Sequence, residues 1–225
     1  MAATHELAAL LTGLQPPPLQ EVNNGCLLQP QVAAAFVALQ QAALEQGFRL
    51  QLVSGYRGFA HQCRIWQAKW QAQRAVFDLK QQLVDVRKLA VPERLHAIAL
   101  FSALPGTSRH HWGTDLDWYD AAAVAGDYQP KLQPSEYETG PFAAAAQFVA
   151  EHGPRFGFSQ PYARYQGGVA AEPWHLSYLP LASDYLAALT ESMVAEALLQ
   201  SSLDDKEQLV ALLPEVFKRY VRNLS

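Results

Sequence analysis

The sequence predicts an α+β fold, in which helices surround a few short, well-separated strands and a helical C-terminal extension follows. Three observations predict it. Apolar residues recur at helical spacing through most of the chain, as at Val32, Phe36, Leu39 and Ala43. Only Arg49–Val53, Thr114–Tyr119 and His175–Leu179 read as strands. The 225 residues are 50% hydrophobic and 17% charged, which is enough apolar material for one sizeable core.

Residues 3–14 read as a short amphipathic helix, with Leu7, Leu10, Leu11 and Leu14 at helical spacing. Pro16, Pro17 and Pro18 end it and open an extended stretch. A second helix spans about 30–46, and Gly47 stops it. The strand from Arg49 leads into the turn Ser54-Gly55-Tyr56-Arg57-Gly58. Residues 59–103 are expected to be mostly helical: Val76, Leu79, Leu83 and Val86 form one stripe, Pro92 interrupts, and Leu95, Ile98 and Ala99 form the next. After the loop Pro105-Gly106-Thr107, the strand from Thr114 places Asp115 and Asp117 on one face.

Residues 120–139 read as loop, 141–152 as a helix stopped by Gly153-Pro154, and Gly167-Gly168 as a turn. The last 45 residues change character. Leu186, Leu189, Met193 and Ala197 mark one helix, Asp204 with Glu207 suggests a capping box for another, and Pro214 starts or kinks a third segment. This suggests a division into residues 1–180, carrying the functional motifs, and a helical extension over 181–225 packed on it.

Composition narrows the function classes. A net charge of −4 argues against a nucleic-acid partner, which selects for a basic face. No apolar run reaches the ~18 residues needed to span a bilayer, so no membrane partner is expected. The segment from Met1 to Leu11 has no basic start and carries Glu6, so it does not read as a secretory signal and the expected location is cytoplasmic, or periplasmic if a signal has been removed. Cys26 and Cys63 do not make a disulfide framework and are expected to be ordinary, partly buried thiols.

Two segments carry chemistry: Ser108-Arg109-His110-His111-Trp112-Gly113-Thr114-Asp115-Leu116-Asp117 and Glu172-Pro173-Trp174-His175. They offer two imidazoles, a carboxylate seven residues after the first, and a glutamate three residues before the second. A catalytic zinc site needs three nitrogen or oxygen ligands, an open position for water and a base to deprotonate it. His110 and Asp117 can come from one loop and strand, with His175 arriving from a distant segment. Each histidine alone reads first as a surface or satisfied core residue, and a His₂Asp set can take several divalent ions. His111 points away from its neighbour His110 on an extended chain and is not expected to ligate, nor are His61, His96 and His152. Trp112 and Trp174 are expected to pack the walls of the site, and Tyr162 and Tyr165 to be packing residues that could line its cleft.

The pattern Ser108-x-His110-x-x-Gly113-x-x-x-Asp117 resembles the S-x-H-x-x-G-x-A-x-D signature of the VanY-type D-alanyl-D-alanine carboxypeptidases, zinc peptidases of peptidoglycan peptides. Glu172-Pro173-Trp174-His175 is similar to that family's E-x-x-H element, and Ser54-Gly55-Tyr56-Arg57 with Gln62 to its S-G-Y-R…Q element. The three motifs occur in the family's order and cover about residues 50–180. The resemblance implies a hedgehog/DD-peptidase fold, with a small antiparallel sheet flanked by helices. It implies Zn²⁺ held by His110, Asp117 and His175, Glu172 as the general base that takes a proton from the attacking water, and Arg57 as the group that binds the substrate's terminal carboxylate, with Ser108 and Gln62 in support. Asp115 departs from the pattern, which has alanine there, and reads as a carboxylate that supports a ligand or lies in solvent, with competition for the metal as the alternative.

The resemblance implies release of a C-terminal D-amino acid from a peptidoglycan-derived peptide and does not fix the bond. In the cytoplasm, a D,D-carboxypeptidase would trim wall precursors before export. An L,D-carboxypeptidase would instead convert recycled muropeptide tetrapeptides to tripeptides, a useful step. The leading expectation is therefore an L,D-carboxypeptidase of cell-wall recycling. The alternatives are a D,D-carboxypeptidase acting on pentapeptides and a non-catalytic, zinc-stabilised binding module.

Overall fold

A computed structural model describes residues 2–23 and 25–225, with Ala2, Ala3 and Thr4 described by backbone alone. Met1, which opens the N-terminal segment considered above, lies outside the described residues. Helix α1 (Ala2–Leu11) leads into a two-stranded hairpin of β1 (Gln20–Glu21) and β2 (Leu27–Leu28). The second strand of that hairpin was not anticipated after Pro16–Pro18: two residues are too short to show a period. Helix α2 (Pro30–Leu44) follows, with Pro30 in its first turn, where the missing N–H costs nothing, and with Val32, Phe36, Leu39 and Ala43 buried as the periodicity predicts.

The main sheet has four antiparallel strands in the order β3-β4-β6-β5, formed by β3 (Leu50–Ser54), β4 (Asp115–Asp120), β5 (Phe158–Ser159) and β6 (His175–Tyr178). Its central strands alternate. Leu116, Trp118, Leu176 and Tyr178 face a core shared with α2 and with α6 (Ala143–His152). Asp115, Asp117, His175 and Ser177 face the other way, as the period of two requires. This is the small antiparallel sheet flanked by helices that the motifs implied.

Between Phe59 and Leu100 the chain departs from the predicted helical run. Helix α3 (Phe59–Trp70) ends where Ala72 takes φ +57°, and helix α4 (Val91–Ala99) begins only twenty residues later. The intervening segment folds back on itself through a bridge between Phe77 and Leu83. The Asp78 carboxylate accepts the backbone N–H groups of Lys80 and Gln82, a local turn that outcompetes a helix. The predicted stripe therefore splits: Val76 and Val86 are buried, whereas Leu79 and Leu83 are 47% and 71% exposed. Pro92 opens α4 rather than breaking a helix.

Two further expectations are corrected. Residues 120–139 contain a short helix α5 (Pro134–Glu138), started by a reciprocal capping box between Gln133 and Glu136. Helix α6 ends at His152, where Gly153-Pro154 stops it as expected, and a 3₁₀ turn then runs on to Phe156. The helix read through Leu186 and Ala197 is two helices, α7 (Leu179–Ala188) and α8 (Glu191–Leu199), because Thr190 caps α8 by accepting from the Met193 N–H.

Helices α9 (Lys206–Ala211) and α10 (Leu213–Val216) complete the C-terminal region. No capping box forms at α9. Asp205 occupies the N-cap at φ +55° without a capping bond, and the carboxylates of Asp204 and Asp205 instead accept from Gln71 and from the Trp70 indole of α3. Residues of α7–α10 share one apolar cluster with Leu11, Trp66, Trp70, Leu95 and Ile98, so they support the helices that wall the site. Among the described residues, no helix is long and apolar enough to cross a membrane.

Candidate metal centre

Asp117 sits where three strands align. It lies opposite Ser54 on β3 and opposite His175 on β6. A register irregularity between Leu52 and Ser54 turns Ser54 toward it, and the Ser54 hydroxyl donates to Asp117 Oδ2. His110 arrives on the 3₁₀ turn Arg109–Trp112, which ends at Gly113 with φ +64°. That left-handed conformation favours glycine and turns the chain from His110 into β4. The loop before β6 brings Glu172, three residues ahead of His175.

His110, Asp117 and His175 are buried, and each offers a ligand atom within 4.8 Å of the others. The tautomers are set by their neighbours. His110 Nδ1 lies 2.8 Å from the Gly55 carbonyl and donates to it, which leaves Nε2 free to take a metal. His175 Nε2 lies 2.9 Å from Asp115 Oδ1 and donates there, which leaves Nδ1. The ligand nitrogens sit 3.5 Å and 3.3 Å from the Asp117 carboxylate oxygens. Zinc bonds of about 2.0–2.1 Å in a tetrahedron place ligand atoms about 3.3 Å apart. The donor types fit such an ion, and the carboxylate lies close to both nitrogens.

Electrostatics follow from burial and pairing. Burial alone would raise the Asp117 carboxyl, but His110 and His175 hold it well below the usual carboxylate range. Burial would lower His175, but its hydrogen bonds to Asp115 and Asp117 carry it up to about 9. Burial pushes Glu172 up to about 8, with Asp117 adding to the rise and His175 opposing it. Glu172 lies 3.8 Å from His175 Nδ1, beside the ligand set and outside it.

The structure gives Asp115 a place. Fully buried, it accepts from His175 Nε2, from Arg109 Nε at 2.8 Å and from the Thr114 hydroxyl at 2.6 Å. It is not among the grouped ligands. Arg109 compensates its charge, donates to Ser177 and lies over the Trp112 ring at 4.9 Å. His111 is buried as expected for a packing residue: Nδ1 contacts the Arg57 carbonyl and Nε2 accepts from the Gly106 N–H. The Trp112 indole donates to the Leu11 carbonyl in the core, whereas Trp174 lines the cavity beside the metal ligands.

That cavity measures about 500 Å³ and is lined in part by Arg57, Ser108, Glu172 and Tyr162. Arg57 Nη1 donates to Gln62 Oε1 at 3.1 Å, and Nη2 to Ser54 Oγ at 3.2 Å. Gln62 is buried and its amide nitrogen donates to the Ala103 carbonyl, so it stands behind Arg57 and holds the guanidinium. Tyr162 packs against the His175 ring at 4.9 Å, while Tyr165 is exposed. Two contributors escaped the motif reading. Ser54 appeared only as the first letter of S-G-Y-R, and Lys69 lines the cavity seven residues after Gln62, a helical spacing that could have found it.

The VanY family, described as D-alanyl-D-alanine carboxypeptidase, matches residues 25–181, well over half of the chain. An uncharacterized protein of Haemophilus influenzae strain Rd is 33% identical over 121 residues, which are 52% of this chain and 92% of that protein. Among solved structures, the vancomycin-resistance D,D-pentapeptidase VanY from a VanB-type cassette, in complex with Zn(II), aligns with a TM-score of 0.53 at 22% identity, over 80% of this chain and 90% of that one. The LD-carboxypeptidase LdcB aligns with a TM-score of 0.55 at 19% identity, over 79% and 81% of the two chains. The fold is therefore shared by D,D- and L,D-cleaving proteins, and the matched span contains every candidate ligand, the flanking glutamate and Arg57: the chain belongs to the VanY family of D-alanyl-D-alanine carboxypeptidases.

Proposed function

We propose that this protein is a zinc-dependent carboxypeptidase that releases the C-terminal D-alanine of peptidoglycan-derived peptides, with the L,D bond of muropeptide tetrapeptides as its target. The observation that carries the zinc reading is the candidate ligand set itself: two imidazoles with fixed tautomers and one carboxylate, buried and grouped within 4.8 Å. Bound there by His110, Asp117 and His175, zinc would polarise the scissile carbonyl and make water acidic enough to deprotonate near neutral pH.

The chain's own residues supply the rest. Glu172, beside the ligands, takes the proton of the attacking water and passes it to the leaving amine. Arg57, held rigid by Gln62 and Ser54, presents its guanidinium to the terminal carboxylate, and Ser108 adds a hydroxyl to the same wall. Asp115 keeps His175 oriented with Nδ1 toward the metal.

The L,D reading is supported by the cationic residues of the cavity lining, Lys69, Arg74 and Lys131. An L,D substrate places a diamino-dicarboxylic residue, with a carboxylate on its side chain, directly before the scissile bond. A D,D substrate places alanine there. A role in cell-wall recycling within the cytoplasm accords with this substrate. The test is incubation of zinc-loaded protein with purified tetrapeptide and pentapeptide muropeptides, with products identified by mass. Conversion of tetrapeptide to tripeptide is expected. Conversion of pentapeptide alone would make the enzyme D,D-specific, and no product from either would make the protein a binding module.

A further inference from the structure

We propose that Lys69, with Ser102 beside it, forms a subsite for a second carboxylate of the substrate, carried on the side chain of the residue before the scissile bond. This rests on the carboxypeptidase reading above and names the group that sets its substrate class.

Lys69 lies on α3 on the same face as Gln62 and Ile65, and both Ile65 and Lys69 line the cavity. Its side chain is half-buried, and Nζ donates to the Ser102 hydroxyl at 2.7 Å. Among the described residues, no carboxylate pairs with Lys69, Arg74 or Lys131, although all three line the cavity. The cavity's acids are engaged with other groups: Asp117 with His110, His175 and Ser54, and Glu172 beside His175. A half-buried ammonium without a counter-ion is destabilised. Burial, with Arg74 next, pushes Lys69 down to about 8 against an opposing pull from Glu172. A ligand carboxylate would restore the missing partner and use Ser102 as a second donor.

The spacing suits such a ligand. Seven residues of helix place Lys69 about 10 Å along α3 from Gln62, which holds Arg57. With the terminal carboxylate on Arg57, one extended residue of about 3.5 Å and a long side chain span that interval. Arg74 and Lys131, both exposed on the rim, extend the positive field toward solvent and favour entry of an anionic peptide.

The test compares two tetrapeptides ending in D-alanine, with the side-chain carboxylate of the preceding meso-diaminopimelate free in one and amidated in the other. The zinc-loaded full chain is assayed, and the readout is the ratio of kcat/KM for the two peptides, which does not depend on the folded fraction of any variant. The wild type should favour the free carboxylate by roughly 10- to 100-fold, the range of a charge-assisted hydrogen bond. Lys69→Met should bring the ratio close to unity, and Lys69→Arg should keep most of it. A Lys69→Met ratio equal to that of the wild type, or no preference in the wild type, overturns the subsite while leaving the carboxypeptidase reading standing. Cleavage of neither peptide overturns the L,D reading, and the subsite falls with the substrate that defines it.

Discussion

Replacing Asp115 by alanine restores the residue that the family signature carries, yet in this chain it should be damaging in two separable ways. The first concerns Arg109, whose guanidinium is 5% exposed and pairs with the fully buried Asp115 at 2.8 Å. Removing one member of a buried pair leaves an uncompensated charge and costs about 3–5 kcal/mol. At about 2–4 °C per kcal/mol for a domain of this size, the melting temperature should fall by roughly 6–20 °C. The second effect concerns His175, which loses the acceptor at 2.9 Å that holds Nε2–H and turns Nδ1 toward the metal. Loss of such an orienting partner weakens metal binding by about 10- to 100-fold, or about 1.4–2.7 kcal/mol. Scanning calorimetry measures the first effect and chelator competition for zinc the second. A double variant, Asp115→Ala with Arg109→Leu, separates them: without the lone charge it should recover stability while zinc affinity stays low. A zinc affinity for Asp115→Ala within about twofold of the wild type would refute the orienting role.

Further outcomes follow from the same geometry. Glu172→Ala should keep its zinc, measured by metal analysis, and lose about 10²- to 10⁴-fold in kcat, because Glu172 lies beside the ligand set and outside it; a zinc-loaded, fully active variant would remove it from the mechanism. Arg57→Lys should raise KM and lower kcat/KM, since an ammonium cannot keep both the Gln62 and Ser54 contacts and a bidentate hold on a carboxylate; unchanged steady-state kinetics would contradict that role. Gly55→Ala should lower the melting temperature and zinc affinity together, because a Cβ there would meet the Leu27 carbonyl at 2.4 Å and displace the Gly55 oxygen that orients His110. The preference for the free side-chain carboxylate should fade as pH rises through about 8. Lys69 faces Arg57, Arg74, Lys131 and Glu172, its ordinary pKa is lowered chiefly by burial, and it is charged only below that value. A kcat/KM ratio flat from pH 6 to 10 would count against Lys69 as the cation.

The sequence by itself determined the elements and groups whose relations are short-range. Asp115 and Asp117 share a face because β-strands alternate, and the periodic face of α2 is buried because helices repeat every 3.6 residues. Three motifs named His110, Asp117, His175, Glu172 and Arg57, and the fold brings those residues to one cavity. Tertiary structure decided what depends on partners far along the chain. The stripe at Val76, Leu79, Leu83 and Val86 was ambiguous because a folded-back loop with Asp78 as its cap can carry the same apolar residues as a helix. One helix became two at Thr190, and Asp204 and Asp205 abandoned a local cap for donors on α3 more than 130 residues away. The departure at Asp115 was only partly explicable locally: beside its near neighbours Thr114 and Arg109, its partner His175 lies 60 residues on, and the register of β4 against β6 joins them. The physical reason is common to all of these cases: periodicity and capping act over a few residues, whereas the tautomer of a ligand or the partner of a buried charge is fixed by whichever distant group the packing brings within about 3 Å.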